Sequence, residues 1–241
     1  MREGLLFCIT LKKHSPSSLA ASTPMTELPK FIEHTLLRPD TTLADIRNLC
    51  DEAIQHQFAA VCIPSFFVRD ARRILGDASR IRLVTVVGFP MGYSGIAAKS
   101  EEIRRAIDDG ADEIDAVINI AALKSNNWNH VSQDIDSVAR ATNLRGKILK
   151  LILECGLLTE AEIGKVCELA QESHVTWLKT GTDMHGLSCT PEMLRTLRSL
   201  AHPTIKLDAS GGIRTAEDAR VLIAAGADRL GTSAALQMIG K

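Results

Sequence analysis

The sequence predicts a single-domain α/β protein of the (β/α)8 TIM-barrel class. From residue 28 onward, short β-rich apolar runs alternate with helix-period segments, and eight such units follow one another. They occupy about 210 residues, which suits a closed barrel better than an open doubly wound sheet. No GxGxxG follows the first run, so a dinucleotide-binding fold loses its main support. The alternation itself implies right-handed βαβ crossovers and a parallel sheet. In this architecture chemistry sits at the carboxyl ends of the strands.

The predicted strands are residues 33–37, 59–63, 83–88, 113–120, 149–154, 176–180, 204–209 and 229–232. Each is short, apolar and bounded by a polar or glycine turn. Amphipathic segments such as 97–108, 160–172, 191–200 and 216–225 lie between them. Thr159-Glu160-Ala161-Glu162 and Thr215-Ala216-Glu217-Asp218 read as helix starts, a hydroxyl cap followed by acidic residues. Gly110-Ala111-Asp112 and Gly226-Ala227-Asp228 each end a helix, with glycine where the chain needs positive φ.

Composition narrows the function. The chain has 241 residues, 45% hydrophobic, with 28 Lys+Arg against 29 Asp+Glu. A net charge of −1 gives no electrostatic reason for a nucleic-acid or acidic-lipid partner. Aromatic residues are only 4%, which weakens any base-stacking platform. No apolar run reaches the roughly 18–20 residues of a membrane helix. Six scattered cysteines without a CxxC pair read as reduced, mostly packed thiols of a cytoplasmic protein. The seven histidines form no HExxH or zinc-finger spacing, and no metal site is expected.

Residues 1–27 are read as a disordered tail preceding a barrel domain over 28–241. The apolar stretch 4–11 is at the lower limit for a signal peptide, and Lys12-Lys13 stands where the cleavage region should begin. The alternative is an upstream start codon, with the working protein beginning near Met25.

The strand ends hold the chemistry-bearing residues. The sixth strand ends Trp177-Leu178-Lys179-Thr180-Gly181. A lysine in an apolar strand is either a desolvated, nucleophilic amine or a salt-bridged or snorkelling side chain. The seventh reads Thr204-Ile205-Lys206-Leu207-Asp208-Ala209, with Lys206 and Asp208 on one face. Ser210-Gly211-Gly212 follows it, and Gly231-Thr232-Ser233 ends the eighth strand. Paired glycine turns after these two strands favour a phosphate cradle of backbone N–H groups. Asp115 in the fourth strand is a carboxylate among apolar residues, suited to relaying protons or to pairing with a lysine. Glu33, His34 and Thr35 of the first strand and Glu154 of the fifth add polar groups at the same end, the two glutamates reading equally as structural ion-pair partners.

Several motifs together resemble one family. Ile32-Glu33-His34-Thr35-Leu36-Leu37, Val87-Gly88-Phe89-Pro90-Met91-Gly92, Gly110-Ala111-Asp112-Glu113-Ile114-Asp115, Leu178-Lys179-Thr180 and Ser210-Gly211-Gly212-Ile213-Arg214-Thr215 occur in order and are similar to deoxyribose-phosphate aldolase. The resemblance spans about residues 28 to 236. It implies a cytoplasmic class I aldolase that cleaves 2-deoxy-D-ribose 5-phosphate to acetaldehyde and glyceraldehyde 3-phosphate. It also implies that neither metal nor organic cofactor is needed. Carried over by position, Lys179 is the Schiff-base lysine and Asp115 the acidic proton relay. Gly211, Gly212, Thr232 and Ser233 fall where the family holds phosphate. Thr180 and Ser210, which flank the reacting lysine and the glycine turn, and Thr35 and Cys62, near the pocket, are also expected substrate-binding residues, Thr35 through its hydroxyl and Cys62 through packing. The expected partner is a small phosphorylated sugar, with a homodimer as the expected assembly.

Four positions depart from the family's pattern. Glu33 replaces an aspartate, Lys179-Thr180-Gly181-Thr182-Asp183 replaces Lys-Thr-Ser-Thr-Gly, and Ala234 replaces a serine. Asp208 stands where a second lysine is usual. A cation there would depress the pKa of the reacting amine, whereas an anion raises it. At about 7 Å and an effective dielectric near 20 the bias is roughly 2.4 kcal/mol. Lys206, two residues earlier on the same face, is the expected neutraliser of Asp208. The competing readings are a phosphosugar-binding pseudoenzyme or an aldolase of altered substrate. A third is metal-assisted chemistry on Glu33, Asp115, Glu154 and Asp208 with His185.

Overall fold

The computed structural model describes residues 27–241. Apart from its last residue, the expected tail lies outside the described residues. The elements run β1 (Ile32–Thr35), α1 (Leu43–His56), β2 (Ala60–Ile63), α2 (Val68–Leu75), β3 (Arg82–Val87), α3 (Ile96–Asp108) and β4 (Glu113–Val117). They continue α4 (Ile120–Lys124), α5 (Trp128–Asn143), β5 (Ile148–Ile152), α6 (Glu160–Glu172), β6 (Trp177–Lys179) and α7 (Pro191–Leu200). The chain closes with β7 (Lys206–Ser210), α8 (Ala216–Ala224), β8 (Arg229–Thr232) and α9 (Ala235–Met238). The eight strands are hydrogen-bonded in sequence order into a closed barrel, β8 pairing in parallel with β1. This is the predicted (β/α)8 barrel.

Local chemistry explains the element ends. Thr159 accepts from the Glu162 N–H while Glu162 accepts from the Thr159 N–H, and Thr215 and Asp218 repeat that exchange. Both starts satisfy N–H groups that a bare helix end leaves unpaired. Gly110 and Gly226 take φ of 112° and 111°, the conformation that ends their helices without a Cβ penalty. The fourth strand is shorter than predicted. Asn119 accepts from the Ala122 N–H at 3.0 Å and starts α4 at Ile120. Apolar residues on both sides of Asn119 conceal this cap from a periodicity reading.

Strand alternation sorts the side chains. Ile32, Ile114, Leu149, Leu178 and Leu207 point outward and are buried with the helices in one core. Their neighbours Glu33, Asp115, Lys150, Lys179 and Asp208 are also buried, at 0–5% exposure, and converge inside the barrel. The interior is therefore an ionic layer rather than the usual stack of branched aliphatic side chains.

Candidate active site

Lys179 ends β6 and lines a cavity of about 250 Å³ at the carboxyl end of the barrel. Its Nζ donates to Glu33 Oε1 at 2.6 Å and to Asp115 Oδ2 at 2.7 Å. Asp208 Oδ2 lies 3.6 Å away, a consequence of the β6–β7 register that sets Lys179 opposite Asp208. Burial alone would lower the lysine's pKa, but the carboxylates of Asp115, Asp208 and Glu33 outweigh it and hold it well above the ordinary range. The resting side chain is an ammonium.

A second buried lysine completes the site. Lys150, on β5, donates to Glu33 Oε2 and, at 2.9 Å, to Asp115 Oδ1. It also lies 3.2 Å from Glu113 Oε2 and 3.3 Å from Asp208 Oδ2. The sequence reading missed it, although Leu149-Lys150-Leu151 carries the same signal as Leu178-Lys179: a lysine within an apolar strand. Lys206 does not do what was expected of it. It is exposed at the amino end of β7, with Nζ 5.2 Å from the centroid of the Trp177 ring. Strand rise places it about two residues deeper than Asp208, at the opposite mouth, so Lys150 rather than Lys206 faces Asp208.

Glu33 and Glu154 differ in kind. Glu33, one methylene longer than aspartate, bridges both lysines, and its pKa is held well below the usual range. Burial raises it, but Lys150, Lys179 and Arg229 prevail. Among the described residues Glu154 has no lysine partner at salt-bridge distance. Its Oε2 accepts from the Thr182 N–H at 3.0 Å and from Thr182 Oγ1 at 2.6 Å, shaping the loop after β6. A Cβ at residue 181 would stand 2.7 Å from Glu154 Oε1, which accounts for glycine there. His34 points out of the barrel, its Nε2 2.7 Å from Glu52 Oε2 on α1.

The remaining expected contacts divide into lining and support. Thr35, Ser210, Thr232 and Ser233 line the cavity. Thr180 does not. Its Oγ1 donates to the Ser210 carbonyl at 3.0 Å and accepts from the Ser210 N–H at 2.9 Å, tying the β6 end to β7. The hydroxyls of Thr35, Ser210 and Thr232 donate to the carbonyls of Glu33, Gly181 and Ile213, and Thr232 Oγ1 also accepts from the Ala234 N–H at 2.9 Å. Cys62 is fully buried beside Ala60 and Val84, and burial chiefly pushes its thiol well above the usual range. It is a packing residue.

Glu33, Cys62 and Asp115 bring three potential metal-ligand atoms within 4.8 Å of one another. The ammonium groups of Lys150 and Lys179 already hold both carboxylates. His185 of the supposed metal set lies 3.9 Å from Glu154, outside that cluster.

Residues 28–238 match the model of the DeoC/LacD family aldolases. The chain belongs to that family. It is 41% identical over 214 residues to a deoxyribose-phosphate aldolase of Thermococcus gammatolerans, covering 88% of this chain and 95% of that one. It is 43% identical over 212 residues to a namesake from Desulfitobacterium hafniense, covering 88% and 97%. The tetrameric deoxyribose phosphate aldolase structure from Aeropyrum pernix superposes with a TM-score of 0.82 at 28% identity, covering 90% of this chain and 91% of that one. As a DeoC/LacD member the chain is an enzyme of the aldehyde-lyase type.

Proposed function

We propose that this aldolase reversibly cleaves 2-deoxy-D-ribose 5-phosphate to acetaldehyde and D-glyceraldehyde 3-phosphate through a Schiff base on Lys179. The observation that carries this reading is the placement of Lys179 Nζ in the cavity, hydrogen-bonded to two buried carboxylates. Asp115, at 2.7 Å, takes the ammonium proton and frees the amine. The amine adds to the sugar aldehyde carbon, and loss of water gives an iminium. The C3 hydroxyl then loses its proton, the C2–C3 bond breaks, and the electron pair flows into the iminium as an enamine. Protonation of the enamine carbon and hydrolysis release acetaldehyde and restore Lys179.

Lys150 acts as the second cation in this scheme. It shares Glu33 and Asp115 with Lys179 and so limits the negative potential at the reacting nitrogen. Arg38 and Ser233, at the cavity wall, suit the phosphate end of the sugar. Among the described residues no helix is long and apolar enough to cross a membrane. The five cysteines described are free thiols, which fits a reducing compartment; the location we propose is the cytoplasm, and the assembly a homodimer, the commonest closed oligomer.

The test is borohydride reduction in the presence of deoxyribose 5-phosphate, followed by peptide mapping. A substrate-dependent adduct on Lys179 is expected, and Lys179→Ala loses both adduct and cleavage. Cleavage persisting in Lys179→Ala rules out the Schiff-base route. Phosphosugar binding without any adduct selects the pseudoenzyme reading.

A further inference from the structure

The loop that follows β6 lies directly on the glycine turn that follows β7. The Cys189 N–H donates to the Gly211 carbonyl at 3.0 Å. The Gly212 N–H donates to Asp183 Oδ1 at 3.2 Å. Residue 183 has φ of 64°, a left-handed conformation that aspartate tolerates better than most residues. This is the position where the family's Lys-Thr-Ser-Thr-Gly pattern ends in glycine, a residue free to take the same φ, and here a carboxylate is added. That carboxylate hydrogen-bonds one of the N–H groups expected to hold phosphate, and Asp183 lines the same cavity as Lys179.

We infer that Asp183 is a built-in competitor for the substrate phosphate, setting this enzyme's preference between phosphorylated and unphosphorylated deoxy sugars. The inference rests on the deoxyribose-phosphate reading of the site. Its physical basis is charge and hydrogen-bond occupancy. A phosphate dianion must displace the Asp183 carboxylate from the Gly212 N–H and then remain beside it. Of the cations lining the cavity, Lys179 is already paired with carboxylates, and Arg38 lies 3.4 Å from Asp40. A sugar ending in a hydroxyl meets no such opposition, because the hydroxyl donates to the carboxylate. An anion facing a dianion at about 5 Å in water weakens binding on the order of tenfold.

Two variants test this. Asp183→Asn removes the charge in a residue that also tolerates left-handed φ, and Asp183→Gly restores the family's residue. Protection by inorganic phosphate against thermal unfolding, matched in ionic strength with chloride, reports binding without turnover. The phosphate dissociation constant is expected to fall about tenfold in both variants relative to the parent. The ratio of kcat/KM for 2-deoxyribose 5-phosphate over 2-deoxyribose is expected to rise by a similar factor. Phosphate protection that is equal in the parent and both variants overturns the inference. Loss of turnover through Lys179 overturns only the aldolase reading, since phosphate binding is measured independently.

Discussion

Asp208 and Lys179 face each other across β6 and β7 with 3.6 Å between charged atoms, about half the separation assumed from the sequence. At an effective dielectric near 20 such a contact favours the ammonium by about 4.6 kcal/mol, against the roughly 2.4 kcal/mol expected at the longer distance. Asp208 itself resists ionisation. Burial first, then Glu33 and Asp115, raise its pKa from 3.8 to about 6 despite Lys179 and Lys150. Among the described residues neither of its buried oxygens finds a hydrogen-bond donor. Above pH 6 the carboxylate is charged and suppresses the free amine; below it, the bias disappears. Asp208→Asn is therefore expected to raise the rate of acetaldehyde–borohydride trapping on Lys179 at pH 7.5 by at least about tenfold. The advantage narrows below pH 6, where the parent's Asp208 is already neutral. Trapping that is equal or slower in the variant at pH 7.5 means that the anion does not control the nucleophile.

Helix α3 is joined to α5 and β4 by one buried lysine. Lys99 Nζ donates to the Val117 carbonyl at 2.8 Å and to Asp134 Oδ2 at 2.7 Å, with both side chains essentially fully buried. Asp134 Oδ2 also accepts from the Asn119 N–H at 3.1 Å, so the pair holds the β4 end at the start of α4. Lys99→Met keeps the stem but strands the Asp134 charge, and a loss of about 3–5 kcal/mol is expected. Urea unfolding at pH 7 measures it; a change below about 1 kcal/mol makes the pair dispensable. Elements of this kind separate what the sequence discloses from what it conceals. The eight strands, the caps at Thr159 and Thr215 and the helix-ending Gly110 and Gly226 are local patterns and were legible as such. The Lys99–Asp134 pair spans 35 residues and leaves no periodic signature in either helix. Thr180 shows the same limit within the site, because adjacency to Lys179 in sequence says nothing about which way its hydroxyl points.

At the scale of the whole barrel, closure brings Glu33 to Lys150 and Lys179 across 117 and 146 residues. Alternation in each strand could mark these residues as inward but could not pair them; that is why Lys206, near in sequence, was expected to neutralise Asp208 and Lys150 was overlooked. Glu33, Glu113, Asp115 and Asp208 face Lys150, Lys179 and Arg229, four carboxylates against three cations. The excess falls on Asp208, whose folded pKa of about 6 exceeds the ordinary 3.8. The native state thus binds more protons than the unfolded chain between those values, and stability falls as pH rises through that window. The deficit is complete above pH 6 and worth about 3 kcal/mol. Lys150→Met should cost about 3–5 kcal/mol by leaving its carboxylate partners uncompensated. It should also push the Asp208 pKa higher still, so that more of the ionisation penalty is felt at pH 7 as forced protonation. Asp208→Asn is then expected to stabilise the Lys150→Met protein more than the parent at pH 7, with a coupling of about 1 kcal/mol or more. At pH 5 Asp208 is protonated in both backgrounds and the coupling should vanish. A double-mutant cycle by urea unfolding at the two pH values decides the matter: additive effects at pH 7, or a coupling that persists at pH 5, would show that Lys150 and Asp208 do not share one charge balance.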